Sequence, residues 1–180
     1  KSIYRLKPYR NVETIEIGET RNIIDTIKKS LEVIDTKWCL INPITSVPVN
    51  DELNSPSIEF GLDKIPKENW SSFDFDEFGS PIFFSKLDSN SEGILSFPFT
   101  GRIFAKKTQI CFAIERLKEN EKFDLIYLAK KLHEINNLEI KYTTWLDIGH
   151  IATYPSTRIS RITSRFFNDL IYEKSKNIIK

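Results

Sequence analysis

An aspartate, a histidine and an arginine stand close together late in the chain: Asp147, His150 and Arg158, with Gly149 between the first two. The run before them, Leu138-Glu139-Ile140-Lys141-Tyr142-Thr143-Thr144-Trp145, has β character, so Asp147 is expected at the carboxyl end of a strand. Open α/β sheets place their ligands there. A carboxylate in that place can hold Mg²⁺, which needs only one or two protein oxygens beside phosphates and water. His150 titrates near neutral pH and could act as acid, base or phosphate contact. No Ser or Cys nucleophile signature surrounds it, and no second His or Cys stands at metal spacing. A structural hydrogen bond is its other reading. Tyr154, Arg158, Arg161 and Arg165 share one face if their segment is helical. Their guanidinium forks would suit phosphate oxygens; the other reading is a domain interface or a solvated basic face.

The elements that must position these residues follow from periodicity. Val12–Ile17 alternates apolar and polar and predicts a strand that Gly18 ends. Thr20 is the expected cap of a helix to about Ile34, with Ile23, Ile24, Ile27, Leu31 and Ile34 on one face. The apolar run Trp38–Ile41 predicts a strand buried on both faces, hence part of a parallel sheet. Strands are expected at 57–62, 72–75, 81–86 and 95–105, with a hairpin loop at Asp76–Gly79. Glycine within a strand marks close approach of a ligand or backbone, or a bulge, and Gly101 is such a residue. Two helices follow, to about Asn120 and over Asp124–Ile135. His133, beside Lys130 and Lys131, is expected at the surface.

With 180 residues, 40% of them hydrophobic and 12% aromatic, the chain can build one core. Its 26 basic and 25 acidic residues leave no broad positive footprint for nucleic acid. No apolar run reaches the ~18 residues of a membrane span, and no secretory signal is visible. Cys39 and Cys111 lie in apolar surroundings and are expected as free thiols of a cytoplasmic protein. The sequence contains no methionine, which points to a fragment of a longer chain.

The segment Trp145-Leu146-Asp147-Ile148-Gly149 resembles the W-x-D-x-G element of the sugar-1-phosphate nucleotidyltransferases. With His150, Tyr154, Arg158 and Arg165-Phe166-Phe167-Asn168 it is similar to bacterial polysaccharide-locus proteins in which such a domain precedes a kinase-like phosphotransferase domain. The resemblance implies an α/β fold, a mixed sheet with Rossmann-like nucleotidyltransferase architecture. It implies Asp147 as a Mg²⁺ ligand and catalytic residue, and Lys86, Gly101, Gly149, His150 and Arg158 as substrate contacts. A solvated strand-end lysine is the other reading of Lys86. The implied domain runs over 1–168, its N-terminal part incomplete, with 169–180 a linker or the start of the next domain.

Two features depart from the family. Its first metal-binding Asp follows an early strand, where this chain reads Asn42-Pro43-Ile44-Thr45-Ser46-Val47-Pro48. Its glycine-rich phosphate loop has no counterpart among six scattered glycines. The resemblance implies an enzyme joining an NTP to a sugar 1-phosphate with release of pyrophosphate, for surface polysaccharide synthesis. The departures motivate an alternative, a non-catalytic nucleotide-sugar-binding or docking domain for the kinase-like partner. Neither reading involves nucleic acid or membrane.

Overall fold

A computed structural model describes residues 15–43, 46–48, 54–66, 70–87 and 94–147. Helix α1 spans Ile23–Val33 and buries Ile24, Ile27 and Leu31 of the predicted face, while Ile23 is exposed. Its cap is Asn22 rather than Thr20: the Asn22 side chain accepts from the Asp25 amide at 2.8 Å. That satisfies an amide that has no partner within the helix. The Thr20 hydroxyl instead meets that of Thr26 at 2.7 Å. Ile15–Ile17 is not a strand; Val12–Thr14 lie outside the described residues.

The strands are β1 (Trp38–Ile41), β2 (Ser46–Pro48), β3 (Ser57–Gly61), β4 (Ile65–Pro66), β5 (Ser72–Phe75), β6 (Pro81–Phe84), β7 (Leu95–Lys106), β8 (Glu139–Thr143) and β9 (Trp145–Asp147). Seven of them form one mixed sheet in the order β6-β5-β7-β3-β8, with β1 and β4 also paired to β7. The fold is thus α/β with a mixed sheet. Its parallel pair among the described residues is β3 with β8; β1 runs antiparallel to β7, against expectation. Nor is β1 buried on both faces: Cys39 is buried, whereas Trp38 and Leu40 are exposed. A four-residue apolar run does not reveal that Trp38 stacks on Phe104, at 5.4 Å, from the open side.

Helix α2 occupies Lys107–Ile114 and a 3₁₀ turn follows at Glu119–Phe123. The apolar residues Ile110, Phe112, Ala113, Ile114 and Leu117 predict one longer helix with all five on its inner face, but Phe112 is exposed. Moreover, the Arg116 and Leu117 amides donate to Ala113 and Ile114, three residues back, and the helix tightens to its end. Helix α3, Leu125–Asn136, starts at Asp124, whose carboxylate accepts from the Ile126 amide. Asn137 closes it in the left-handed region, at φ 50. His133 is half-buried rather than solvated, with Nδ1 2.9 Å from the Leu138 carbonyl. Cys39 and Cys111 are free thiols.

The core joins α1, α2 and α3 to the sheet through fully buried Ile58, Phe60, Phe73, Ile103, Ile110, Ile126, Leu128 and Leu132. Phe60 contacts Phe73, Phe83 and Phe99, with centroids 4.9–6.1 Å apart. Each such ring contributes roughly 1.5–3 kcal/mol by burial. Among the described residues no helix is long and apolar enough to cross a membrane.

Candidate functional site

β7 positions the site. One edge pairs with β3 and β4; on the other, β5 takes Phe97 and Pro98 while β1 takes Ile103 to Lys106. Thr100, Gly101 and Arg102 have no strand partner on that second edge among the described residues. Opposite them the register with β3 shifts. Ile58 pairs with Ile103 and Phe60 with Phe99, so these three β7 residues face Glu59 alone. This bulge is possible because Gly101 adopts φ +81. It is also tight: a Cβ on Gly101 would lie 2.3 Å from Pro43 Cγ.

Buried polar groups hold the bulge. The Thr100 hydroxyl donates to the Glu59 carbonyl at 2.9 Å and accepts from the Arg102 amide at 3.1 Å. The Arg102 guanidinium meets the Glu59 carboxylate at 3.0 Å, with both side chains more than nine-tenths buried. Removing one partner of such a pair strands the other charge away from water.

A cleft of about 330 Å³ opens where β1 and β5 diverge. Pro43, Thr100 and Gly101 line it beside Trp70, Phe99, Phe123, Leu125, Ile23 and Trp145; Ser46, Ser71, Lys86 and Asp124 supply polar groups. The rings of Trp70 and Trp145 meet edge-to-face at 5.2 Å. Trp145 also explains why the predicted strand 138–145 breaks. β8 ends at Thr143, and the next residues form a separate two-stranded ribbon with β2. The Trp145 indole lies against Gly61, where a Cβ would sit 2.6 Å from Nε1.

Asp124 ties three elements together at the cleft wall. Its carboxylate accepts from Ser71, from Ser85 at 2.6 Å, and from the Ile126 amide at 3.2 Å. Ser71 in turn accepts from the Lys86 amide at 3.2 Å. The serines precede β5 and follow β6, so this carboxylate fixes the strand pair to α3. The Lys86 side chain is exposed at the cleft.

Of the predicted site residues, Lys86 and Gly101 come together in this cleft. Asp147 ends β9, opposite Ser46 in register and two residues beyond Trp145. Gly149, His150 and Arg158 lie outside the described residues. Sequence reasoning placed Asp124 at a helix start but missed its bonds to Ser71 and Ser85, which come from strands far away in the chain. It also missed Ser46, Trp70 and the Glu59–Arg102 pair; a charge of each sign inside two predicted strands was the available signal.

Where the resemblance implies the first carboxylate, the described residues Asn42, Pro43 and Ser46 supply none. Asn42 donates its side-chain amide to the carbonyls of Pro43 and Ser46, at 3.2 and 3.3 Å. Asp124 is engaged as above, and no group of three His, Cys, Asp or Glu side chains gathers among the described residues. Resolved pKa shifts lie elsewhere. Arg21 lowers Asp25, mainly through its backbone amide. Burial, then the negative Asp74, raises Tyr142. No protein-family model, curated protein or solved structure matches the chain.

Proposed function

We propose that the cleft binds a phosphorylated sugar and that the chain is a nucleotidyltransferase-type domain of Rossmann-like descent. It would join an NTP to a sugar 1-phosphate in the cytoplasm, for bacterial surface polysaccharide synthesis. The observation that carries this reading is the convergence of Lys86, Gly101 and Trp145 on one cleft from separate strands and loops of the chain. Apolar walls with a few polar groups suit a sugar ring, and Lys86 offers a cation to its phosphate. In the reaction a phosphate oxygen of the sugar phosphate attacks the α-phosphorus of the NTP, and pyrophosphate leaves with the bonding pair. The domain's part is to orient the acceptor and offset its charge. His150 and Arg158 are the proposed further contacts.

A second reading has its own support. Asn42 is committed to backbone carbonyls where a carboxylate is needed, which favours a domain that binds a nucleotide-sugar without turning it over, docked to a kinase-like partner. The test is pyrophosphate release from a panel of NTPs and sugar 1-phosphates, with and without Mg²⁺, by wild type and Asp147→Asn. Release that Asp147→Asn abolishes, with the fold intact, supports the enzyme. Binding of nucleotide-sugar without release supports the second reading; neither release nor binding refutes both.

A further inference from the structure

We propose that Ser46 is a specificity residue of this cleft, its hydroxyl reserved for a ring hydroxyl of a phosphorylated sugar. The proposal rests on the reading of the cleft given above and adds a residue and an atom to it. The argument is one of hydrogen-bond accounting. Buried hydroxyls are normally satisfied within the protein. Those of Ser71 and Ser85 go to Asp124, and that of Thr100 goes to the Glu59 carbonyl. Among the hydroxyls that line the cleft Ser46 differs: its residue is 3% exposed, and its Oγ has no hydrogen-bond partner among the described residues. A buried hydroxyl without a partner destabilises the free protein. A group retained at such a cost beside a cleft has a natural partner in what the cleft binds.

The chemistry of the place selects the ligand group. Ser46 is neutral and stands on the same ribbon as Trp145, away from bulk water. A phosphate dianion there would bear a large desolvation cost, whereas a neutral hydroxyl would not. Lys86, exposed and in no ion pair among the described residues, is the group for the charge. The ribbon of β2 and β9 is a sheet of its own.

The experiment measures binding of hexose 1-phosphates and of inorganic phosphate by calorimetry, and melting of the ligand-free chain, for wild type, Ser46→Ala and Lys86→Gln. Ser46→Ala is expected to weaken the best hexose 1-phosphate roughly five- to tenfold, the loss of one neutral hydrogen bond. It should leave inorganic phosphate unchanged, whereas Lys86→Gln weakens both. Ligand-free Ser46→Ala should melt no lower than wild type, because it removes an unsatisfied group. Wild-type binding that Ser46→Ala leaves intact, or a lowered melting temperature for Ser46→Ala, overturns the role of Ser46 while sparing the cleft. Failure of wild type to bind any hexose phosphate overturns the reading of the cleft and this proposal with it.

Discussion

Gly101→Ala is the sharpest perturbation of the cleft floor. Two costs add. At φ +81 an L-residue is strained by about 1–2 kcal/mol. The new methyl would also lie 2.3 Å from Pro43 Cγ and 2.9 Å from Cδ, inside contact distance. The proline ring cannot swing away as a flexible chain would, so relief requires backbone movement, which costs about 1–3 kcal/mol. Together they give a loss of about 3 kcal/mol, or a fall of roughly 6–12 °C in Tm for a domain of this size. Urea unfolding of wild type, Gly101→Ala, Pro43→Ala and the double variant separates the two. Trimming Pro43 should relieve the contact and leave the φ strain, so the double variant should recover about 1–2 kcal/mol relative to additivity. A Gly101→Ala protein as stable as wild type would refute the strained bulge. Additive costs would refute the Pro43 contact.

The same logic extends to other groups. Glu59→Ala leaves Arg102 buried without its carboxylate and should cost about 3–5 kcal/mol by denaturant unfolding, whereas the apolar pair Glu59→Leu/Arg102→Met should recover most of it. Asp124→Ala removes the α3 cap and the acceptor of two serine hydroxyls, an expected loss of about 2–4 kcal/mol. Asp124→Ser, which keeps a cap, should lose less. Tyr142 holds its proton to higher pH in the folded protein, through burial and then Asp74, than the ordinary value of 10.0. Its contribution to stability is therefore fully present below the unfolded value and is lost as pH rises through the folded one. Alkaline unfolding curves should show a shallower decline for Tyr142→Phe than for wild type; identical slopes would contradict the assignment.

Much of the element order was legible because it depends on neighbours in the chain. The α1 face of Ile24, Ile27 and Leu31 repeats at helical spacing, and Asp76–Gly79 reads as the hairpin loop that it forms between β5 and β6. Gly101 could be singled out as a glycine in a strand, though not as the bulge against Pro43. The helix cap was misplaced by two residues because Thr20 and Asn22 are both good caps, and only the fold decides which side chain reaches an amide. The run to Trp145 read as one strand because nothing local marks Thr143 as its end.

By itself, then, the sequence determined that this chain builds an α/β core and where most of its helical apolar faces are buried. Tertiary structure decided which residues meet. Lys86, Gly101 and Trp145 share a cleft because β7 is flanked by two strands that diverge around residues 100–102. Ser55 bonds Glu139 across 84 positions of sequence, and β3 lies beside β8 for the same reason: strand pairing joins segments that local periodicity cannot relate. Backbone hydrogen bonds are the same for every residue type, so a strand's pattern says which face is buried and not which strand lies beside it. That choice is made by packing the whole core at once, and it placed the cleft.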